Sequence, residues 1–131
     1  MEIKELKIEN YVRYNGSVVS VYAISNPIPN KDKHFDNKAR VTLWCNGLID
    51  ATIDEIEPIL ITEELLLKCG FDEPCDVVYE HNYGEFEVTK EQEKWWVTWN
   101  GGADFWFEIK HLHQLQNAYY LATGKDLEIK L

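Results

Sequence analysis

Histidine and cysteine are the residue types in this chain that could ligate a metal or act as nucleophiles. The seven candidates are His34, His81, His111, His113, Cys45, Cys69 and Cys75. Their spacing does not suit a metal site, since neither CxxC nor HxxxH occurs in the sequence. His111 and His113 fall in a predicted helix, where residues i and i+2 point about 200° apart. We therefore predict no metal and no cofactor, and we interpret these histidines as surface or capping residues.

A cysteine nucleophile activated by a histidine is an alternative, because such pairs meet in space rather than in sequence. Cys45 follows Trp44 at a predicted hairpin turn and Cys69 closes a predicted helix, so both are interpreted as small core residues. The sequence has no glycine-rich phosphate loop and no GxSxG, DxD or HExxH pattern. The favoured prediction is a non-enzymatic protein with no catalytic residue, and a cysteine-dependent enzyme is the least favoured alternative.

Four tryptophans lie close together in the chain, namely Trp95, Trp96, Trp99 and Trp106. An exposed tryptophan often anchors a partner or stacks on a base, whereas a buried one fills a core. We favour core packing for the cluster as a whole. Trp96 and Trp106 share their strand faces with polar residues, so these two are predicted to reach the surface.

An apolar stripe runs along a predicted helix at residues 111–123. The stripe consists of Leu112, Leu115, Ala118, Tyr119 and Ala122. The side away from the stripe is predicted to carry His113, Gln116, Asn117 and Tyr120. This polar face is either a partner surface or a hydrogen-bonding surface for the hairpin turns. Together with Trp96 and Trp106, these four residues form the predicted partner surface.

The net charge of −10 is unevenly distributed along the chain. Residues 1–53 carry a net charge of +1, residues 54–93 carry −11, and residues 94–131 are neutral overall. Because no basic stripe can displace counterions, nucleic acid is not predicted as a direct partner. The acidic segment is interpreted as a solvated surface. The alternative is an acidic mimic of nucleic acid that inhibits a DNA or RNA enzyme.

The composition is that of one folded domain of 131 residues, with 45% hydrophobic and 13% aromatic residues. This apolar content excludes a disordered chain. The sequence has no run of about 18 apolar residues and no apolar h-region near its start, so neither a membrane span nor an export signal is predicted. We expect a cytoplasmic protein with reduced cysteines and another protein as its partner.

Three Asn-Gly pairs between apolar runs predict β-hairpins, since Asn-Gly favours the two positive φ angles of a type I′ turn. They are Asn15-Gly16, Asn46-Gly47 and Asn100-Gly101. Residues 76–80 and 85–89 are predicted strands around a turn at residues 82–84. Between the first two hairpins, residues 26–38 are predicted to form a surface loop. Its basic cluster, Lys31, Lys33 and Lys38 with nearby Arg40, is interpreted as a solvated loop tip or, alternatively, a partner contact.

A short helix is predicted at residues 62–69, because both of its ends carry terminal signals. Thr62 is a suitable N-cap and the two following glutamates favour the first turn. Gly70 suits the left-handed position after the helix, and Phe71 can fold back onto Leu66 as in a Schellman motif.

The predicted fold class is α+β, with bent antiparallel sheets in one domain spanning residues 1–131. Residues 1–60 are predicted to form an SH3-like or partly open barrel. Residues 61–75 contain the short helix and a connector. Residues 76–131 are predicted to form a meander whose Trp-rich hairpin packs against the last helix, with residues 127–131 as a closing strand.

Two stretches carry a resemblance to a family. Residues 53–71 read IDEIEPILITEELLLKCGF, and residues 109–127 read IKHLHQLQNAYYLATGKDL. They resemble the IxPIPLTEExLxKxGF and HQLQNLYFALTG segments of short uncharacterised proteins found in gut Bacteroidota and in their phages and prophages. Leu60 stands where members usually have a second proline. The resemblance implies a mobile-element context and an accessory or anti-defence role, and it implies no catalytic residue. The leading hypothesis is therefore an accessory protein, encoded by a phage or another mobile element, that acts by binding a protein.

Overall fold

A computed structural model describes residues 5–25, 39–75, 78–81, 86–99 and 105–130 of the chain. Within these ranges the chain forms ten strands, arranged in two antiparallel five-stranded sheets, and two α-helices. This arrangement confirms the predicted α+β fold class. The chain divides into two compact units, residues 1–59 and residues 60–131. That residues 1–131 behave as one domain stays a prediction.

The first unit is a sheet curled into a half-barrel, as predicted for residues 1–60. Its strands are β1 (Tyr11–Tyr14), β2 (Ser17–Ser25), β3 (Arg40–Trp44), β4 (Leu48–Thr52) and β5 (Ile56–Glu57), in the order β4-β3-β2-β1-β5. Alternate residues of each strand point inward, because successive side chains of a strand lie on opposite faces. The core cluster consists of Leu6, Val12, Val19, Val21, Val41, Leu43, Ala51 and Ile56.

Both Asn-Gly pairs of this unit join neighbouring strands, so the two predicted hairpins are confirmed. Asn15 and Gly16 have φ angles of 48° and 79°, as a two-residue type I′ turn requires. The second turn differs from the prediction. Trp44 lies opposite Leu48, which leaves a three-residue loop, and the φ of Gly47 is 149°. The N–H of Cys45 donates to the Gly47 carbonyl (3.0 Å), so Cys45 belongs to the loop rather than to a strand.

The second unit contains a five-stranded meander and both helices. The strands are β6 (Asp72–Cys75), β7 (Val78–His81), β8 (Phe86–Glu91), β9 (Lys94–Trp99) and β10 (Phe105–Ile109), and they lie side by side in chain order. The meander was predicted to begin at residue 76, but it begins with β6, which contains Pro74. Proline breaks a central strand because it lacks a donor, whereas an edge strand such as β6 can accommodate it.

The first helix, α1 (Glu63–Lys68), has the ends that its sequence predicts. The N–H of Leu65 donates to Oγ1 of Thr62 (3.1 Å). At the other end, Gly70 has a φ of 86°, and the N–H of Phe71 donates to the Leu66 carbonyl (3.1 Å). The N–H of Gly70 also donates to the Leu67 carbonyl (3.1 Å), which completes the Schellman motif.

The second helix, α2 (Leu112–Thr123), is confirmed, and it ends at Gly124 with a φ of 72°. The predicted closing strand at residues 127–131 is wrong for its described part, since residues 126–130 belong to no strand. Instead, Leu127 is buried and the N–H of Lys130 donates to the Lys68 carbonyl (2.9 Å) at the end of α1. The backbone of this segment therefore bonds to a helix terminus and not to a sheet edge.

Some predictions fall outside the described residues. They are the loop at 26–38 with Lys31, Lys33, His34 and Lys38, the turn at 82–84, the Asn100-Gly101 turn, and the side chains of Cys75 and Trp106. Arg40, the described member of the basic cluster, forms an ion pair with Asp50 (3.5 Å). Among the described helices, none is long and apolar enough to cross a membrane.

Candidate functional site

The predicted partner face of α2 is divided between the interior and the surface. His113 is fully buried and Gln116 is 8% exposed, whereas Asn117 is half-buried and Tyr120 is exposed. The prediction that all four lie away from the buried stripe is therefore wrong for His113 and Gln116. Because α2 is buried over more than half of its circumference, the residues that flank its apolar stripe are enclosed as well.

The tryptophan cluster is partly core, as predicted. Trp95 is buried, while Trp96 and Trp99 are half-buried. The Trp95 ring contacts Tyr79 edge-on, with ring centroids 5.8 Å apart. Trp95 and Trp99 share one face of β9 and Trp96 lies on the other, which confirms the predicted alternation. A joint surface of Trp96 and Trp106 stays a prediction, since the Trp106 side chain is outside the described part.

His111 and His113 meet, contrary to the expectation from helix geometry. Their rings are stacked, with centroids 5.6 Å apart and planes 9° apart. They meet because His111 is the N-cap of α2 and has an extended backbone (φ −124°, ψ 153°). Within the described ranges, no group of three or more His, Cys, Asp or Glu side chains is placed to hold a metal ion.

The two cysteines whose side chains are described, Cys45 and Cys69, lie in opposite environments. Cys69 is buried, as predicted, and burial raises the pKa of its thiol to about 12. A thiol with this pKa is protonated at neutral pH and is a poor nucleophile. Cys45 is exposed, so its interpretation as a core residue is wrong. The reason is the three-residue loop, which takes Cys45 out of the alternation of β3.

A cavity of about 260 Å³ lies beside His81, between the end of α1 and the C-terminal segment. Its lining includes Lys68, Gly70, His81, Glu128 and Lys130. The His81 ring makes edge-on contacts with Phe71 (centroids 5.1 Å apart) and Tyr119 (5.0 Å). In the sequence, His81 stands out only as one of the seven histidines and cysteines whose spacing does not suit a metal site.

The protonation of His81 is controlled by its enclosed position. Its Nδ1 atom is buried and accepts no hydrogen bond from the described residues. Burial lowers the pKa of His81, although a hydrogen bond with the Cys69 backbone and the carboxylates of Asp72 and Glu128 act in the opposite direction. The neutral ring is the form that this environment favours.

A second cavity, of about 300 Å³, lies beside Trp95 and is mainly apolar. Leu60, Ile61 and Ile109 contribute to its wall, and the backbone of Ile61 donates to the Lys110 carbonyl (3.0 Å). Lys94 and Glu108 also line this cavity, and their side chains form an ion pair (3.8 Å). Cations and carboxylates lie together here, so the lining favours neither sign of ligand charge.

The outer face of the first sheet carries a group of exposed apolar side chains, which we call the Trp44 surface. It consists of Val18, Tyr22, Trp44 and Leu48. Trp44 is 52% exposed and lies directly opposite Leu48, which is 58% exposed. On its other side Trp44 lies opposite Ser20 on β2. Val18 and Tyr22 lie two residues before and two residues after Ser20, on the same face of the strand. These four side chains therefore occupy one continuous part of the sheet face.

Sequence reasoning missed the Trp44 surface, although the sequence contains a signal for it. Val41 and Leu43 are inward-facing residues of β3, so alternation places Thr42 and Trp44 outside. A bulge in β2 between Val21 and Ala23 adds to the effect, because it leaves Tyr22 outside the regular pairing with β3. The four tryptophans of β9 and β10 are the more conspicuous signal because they lie close together in the chain, whereas Trp44 is isolated.

The acidic segment forms a row of carboxylates on the second sheet. Asp72 on β6 lies opposite Glu80 on β7, and Glu80 lies opposite Glu87 on β8. Residues that are directly opposite share a sheet face, so three acidic side chains follow one another on neighbouring strands. The core residues Tyr79 and Val88 point to the other face.

Comparison of the chain with protein-family models, with curated proteins and with solved structures finds no match.

Proposed function

We propose that this is a non-enzymatic accessory protein that acts by binding another protein through the Trp44 surface. The single observation that supports the proposal is the exposure of a cross-strand pair of large apolar side chains, Trp44 and Leu48, on a regular sheet face. Tryptophan and tyrosine are enriched among the residues that dominate binding energy, because they combine large apolar area with few rotatable bonds.

The composition of the surrounding face also favours protein binding. Asp50 follows Leu48 by two residues on β4 and pairs with Arg40 (3.5 Å). Arg13 lies opposite Val18. An apolar centre with a charged rim is the usual arrangement of a protein interface. We place the partner contact here rather than on α2, since His113 and Gln116 are buried.

A phage or other mobile element as the source, and the cytoplasm as the location, belong to the same proposal. They rest on the resemblance of residues 53–71 and 109–127 to the proteins of gut Bacteroidota and their phages. In such a setting the partner is a protein of the bacterial host.

The test is affinity capture from a Bacteroidota lysate with tagged wild-type protein and the variants Trp44→Ala and Leu48→Ala. Because truncating a central tryptophan commonly costs at least about 2 kcal/mol, we expect Trp44→Ala to weaken capture of the specific partner about 30-fold. Leu121→Ala is the matched control, since Leu121 is exposed but lies on α2. Circular dichroism confirms that each variant is folded.

Capture that is unchanged by Trp44→Ala and Leu48→Ala in folded protein would show that the Trp44 surface is not the binding site. In that case Trp96→Ala and Tyr120→Ala distinguish the alternatives: loss in these variants assigns binding to the surface predicted from the sequence. Equal loss in Leu121→Ala would indicate non-specific adhesion of apolar side chains.

A second candidate function is inhibition of a nucleic-acid enzyme by acidic mimicry, favoured by the row formed by Asp72, Glu80 and Glu87. Opposite charges accelerate association, and salt screens them. We expect a captured basic nuclease to be lost at high salt and in the double variant Glu80→Gln/Glu87→Gln, but not in Glu63→Gln on α1. Binding that is insensitive to salt excludes this candidate.

A further inference from the structure

His81 occupies a site built for a neutral ring. Phe71 and Tyr119 contact it edge-on from two sides, at centroid distances of 5.1 and 5.0 Å. The Nδ1 atom is buried, and the described residues provide it with no hydrogen-bond partner. A proton added to Nδ1 therefore finds no acceptor among the described residues, and burial of this atom disfavours the positive charge.

The segments that line the cavity beside His81 differ in how firmly their backbone is held by hydrogen bonds. One wall is formed by residues 67–70 at the end of α1, where the Schellman hydrogen bonds hold the backbone. The remaining wall is the segment 126–130, which belongs to no helix or strand. Leu127 is its buried side chain, and Lys130 connects its backbone to the Lys68 carbonyl. Local opening starts in segments with few buried contacts and few backbone hydrogen bonds.

We propose that His81 is a proton-sensitive latch for the C-terminal segment 126–130. The neutral ring supports the closed arrangement, in which the segment lies against the end of α1 beside the cavity. A protonated Nδ1 requires water or another acceptor as a hydrogen-bond partner. The segment moves away from α1 so that water can reach this atom. The opened state exposes Leu127 and the end of α1.

The charged and titratable groups around the ring come from every element packed against it. From the end of α1 these are Lys68 and the thiol of Cys69, from β6 the carboxylate of Asp72, and from α2 the hydroxyl of Tyr119. The C-terminal segment contributes Glu128 and Lys130. Asp72 and Glu128 attract an imidazolium, and burial opposes it more strongly, since the net effect is a lowered pKa of His81.

The direction of the pH effect follows from this lowered pKa. The closed state binds the proton less tightly than the open state, in which His81 titrates near its ordinary value of about 6.5. Closure is therefore fully favoured above about pH 6.5 and is progressively lost as the pH falls below it. For one proton, the ratio of open to closed molecules rises up to about tenfold between pH 7.5 and pH 5.5.

Amide hydrogen exchange of residues 127–130, corrected for the intrinsic rate at each pH, tests this directly. In the wild type we expect protection to fall by up to about tenfold between pH 7.5 and pH 5.5, while the core strands keep theirs. His81→Phe preserves an aromatic ring and removes the titrating group, so its protection should not change over this range. The control His111→Phe should behave as the wild type.

A second variant tests the latch even if His81→Phe does not fold. Glu128→Gln removes an exposed carboxylate that favours the imidazolium in the closed state, so the pKa of His81 in that state should fall further. The loss of protection should therefore begin at the same pH as in the wild type but extend to lower pH and reach a larger total. An NMR titration of the His81 ring in the wild type should give a midpoint below its ordinary value. Protection that is independent of pH, a Glu128→Gln profile whose total loss is no larger than that of the wild type, or a His81 midpoint at or above its ordinary value would overturn the proposal.

Discussion

A Cβ atom at Gly70 would lie 3.3 Å from the Nε2 atom of His81. The end of α1 and the strand β7 therefore approach each other closely at a residue that already needs a positive φ of 86°. Two independent requirements coincide at this position. The left-handed backbone favours glycine, and the contact with the imidazole leaves little space for a side chain.

Gly70→Ala should destabilise the protein by about 1–3 kcal/mol, because alanine is strained at this φ and its Cβ presses on His81. Gly124→Ala is the matched control: it also follows a helix with a positive φ (72°), but a Cβ at Gly124 would meet nothing within 4 Å. We expect the control to lose about 1 kcal/mol, from the backbone alone. Urea denaturation measures both values, and equal losses would show that the His81 contact has no energetic effect.

Thr62→Ala should destabilise the protein by about 1 kcal/mol, since the N–H of Leu65 loses its acceptor at the start of α1. Thr62→Ser retains the hydroxyl and should remain within a few tenths of a kcal/mol of the wild type. Thermal denaturation of the three proteins is the measurement. A serine variant as unstable as the alanine variant would mean that the methyl group, and not the cap, accounts for the effect.

Alkylation should distinguish the two cysteines whose side chains are described. Cys45 is exposed and should react with iodoacetamide first, whereas Cys69 is buried and its thiol has a pKa of about 12. Cys69 should therefore react in the unfolded protein and remain protected in the folded one at neutral pH. Mass spectrometry of tryptic peptides follows both sites over time. Rapid modification of Cys69 in folded protein would restore the cysteine-dependent enzyme as a hypothesis.

Glu80→Gln should stabilise the protein by about 0.2–1 kcal/mol at low salt, because Glu80 lies between the like charges of Asp72 and Glu87. The gain should decrease as salt is added. Glu91→Gln is the control, since Glu91 lies opposite Lys94 and its neutralisation removes an attraction. A gain of the same size in both variants would point to the net charge of −10, and not to the carboxylate row, as the cause.

Local features of this fold were predictable because they depend on the backbone preferences of a few adjacent residues. The hairpin at Asn15-Gly16 follows from two residues that tolerate positive φ. Both ends of α1 follow from Thr62 and Gly70, whose roles need no distant contact. The sharing of one face by Trp95 and Trp99 follows from the period of a strand.

Tertiary packing decided which faces are covered, and the sequence by itself did not. It encloses His113 and Gln116 although they flank the apolar stripe, and it leaves Trp44 in contact with solvent. It also places Pro74 in an edge strand. Each outcome depends on elements that are distant in the chain, so no local pattern carries it. The pocket of His81 has the same origin, since α1, β7, α2 and the C-terminal segment meet there only after the chain has folded.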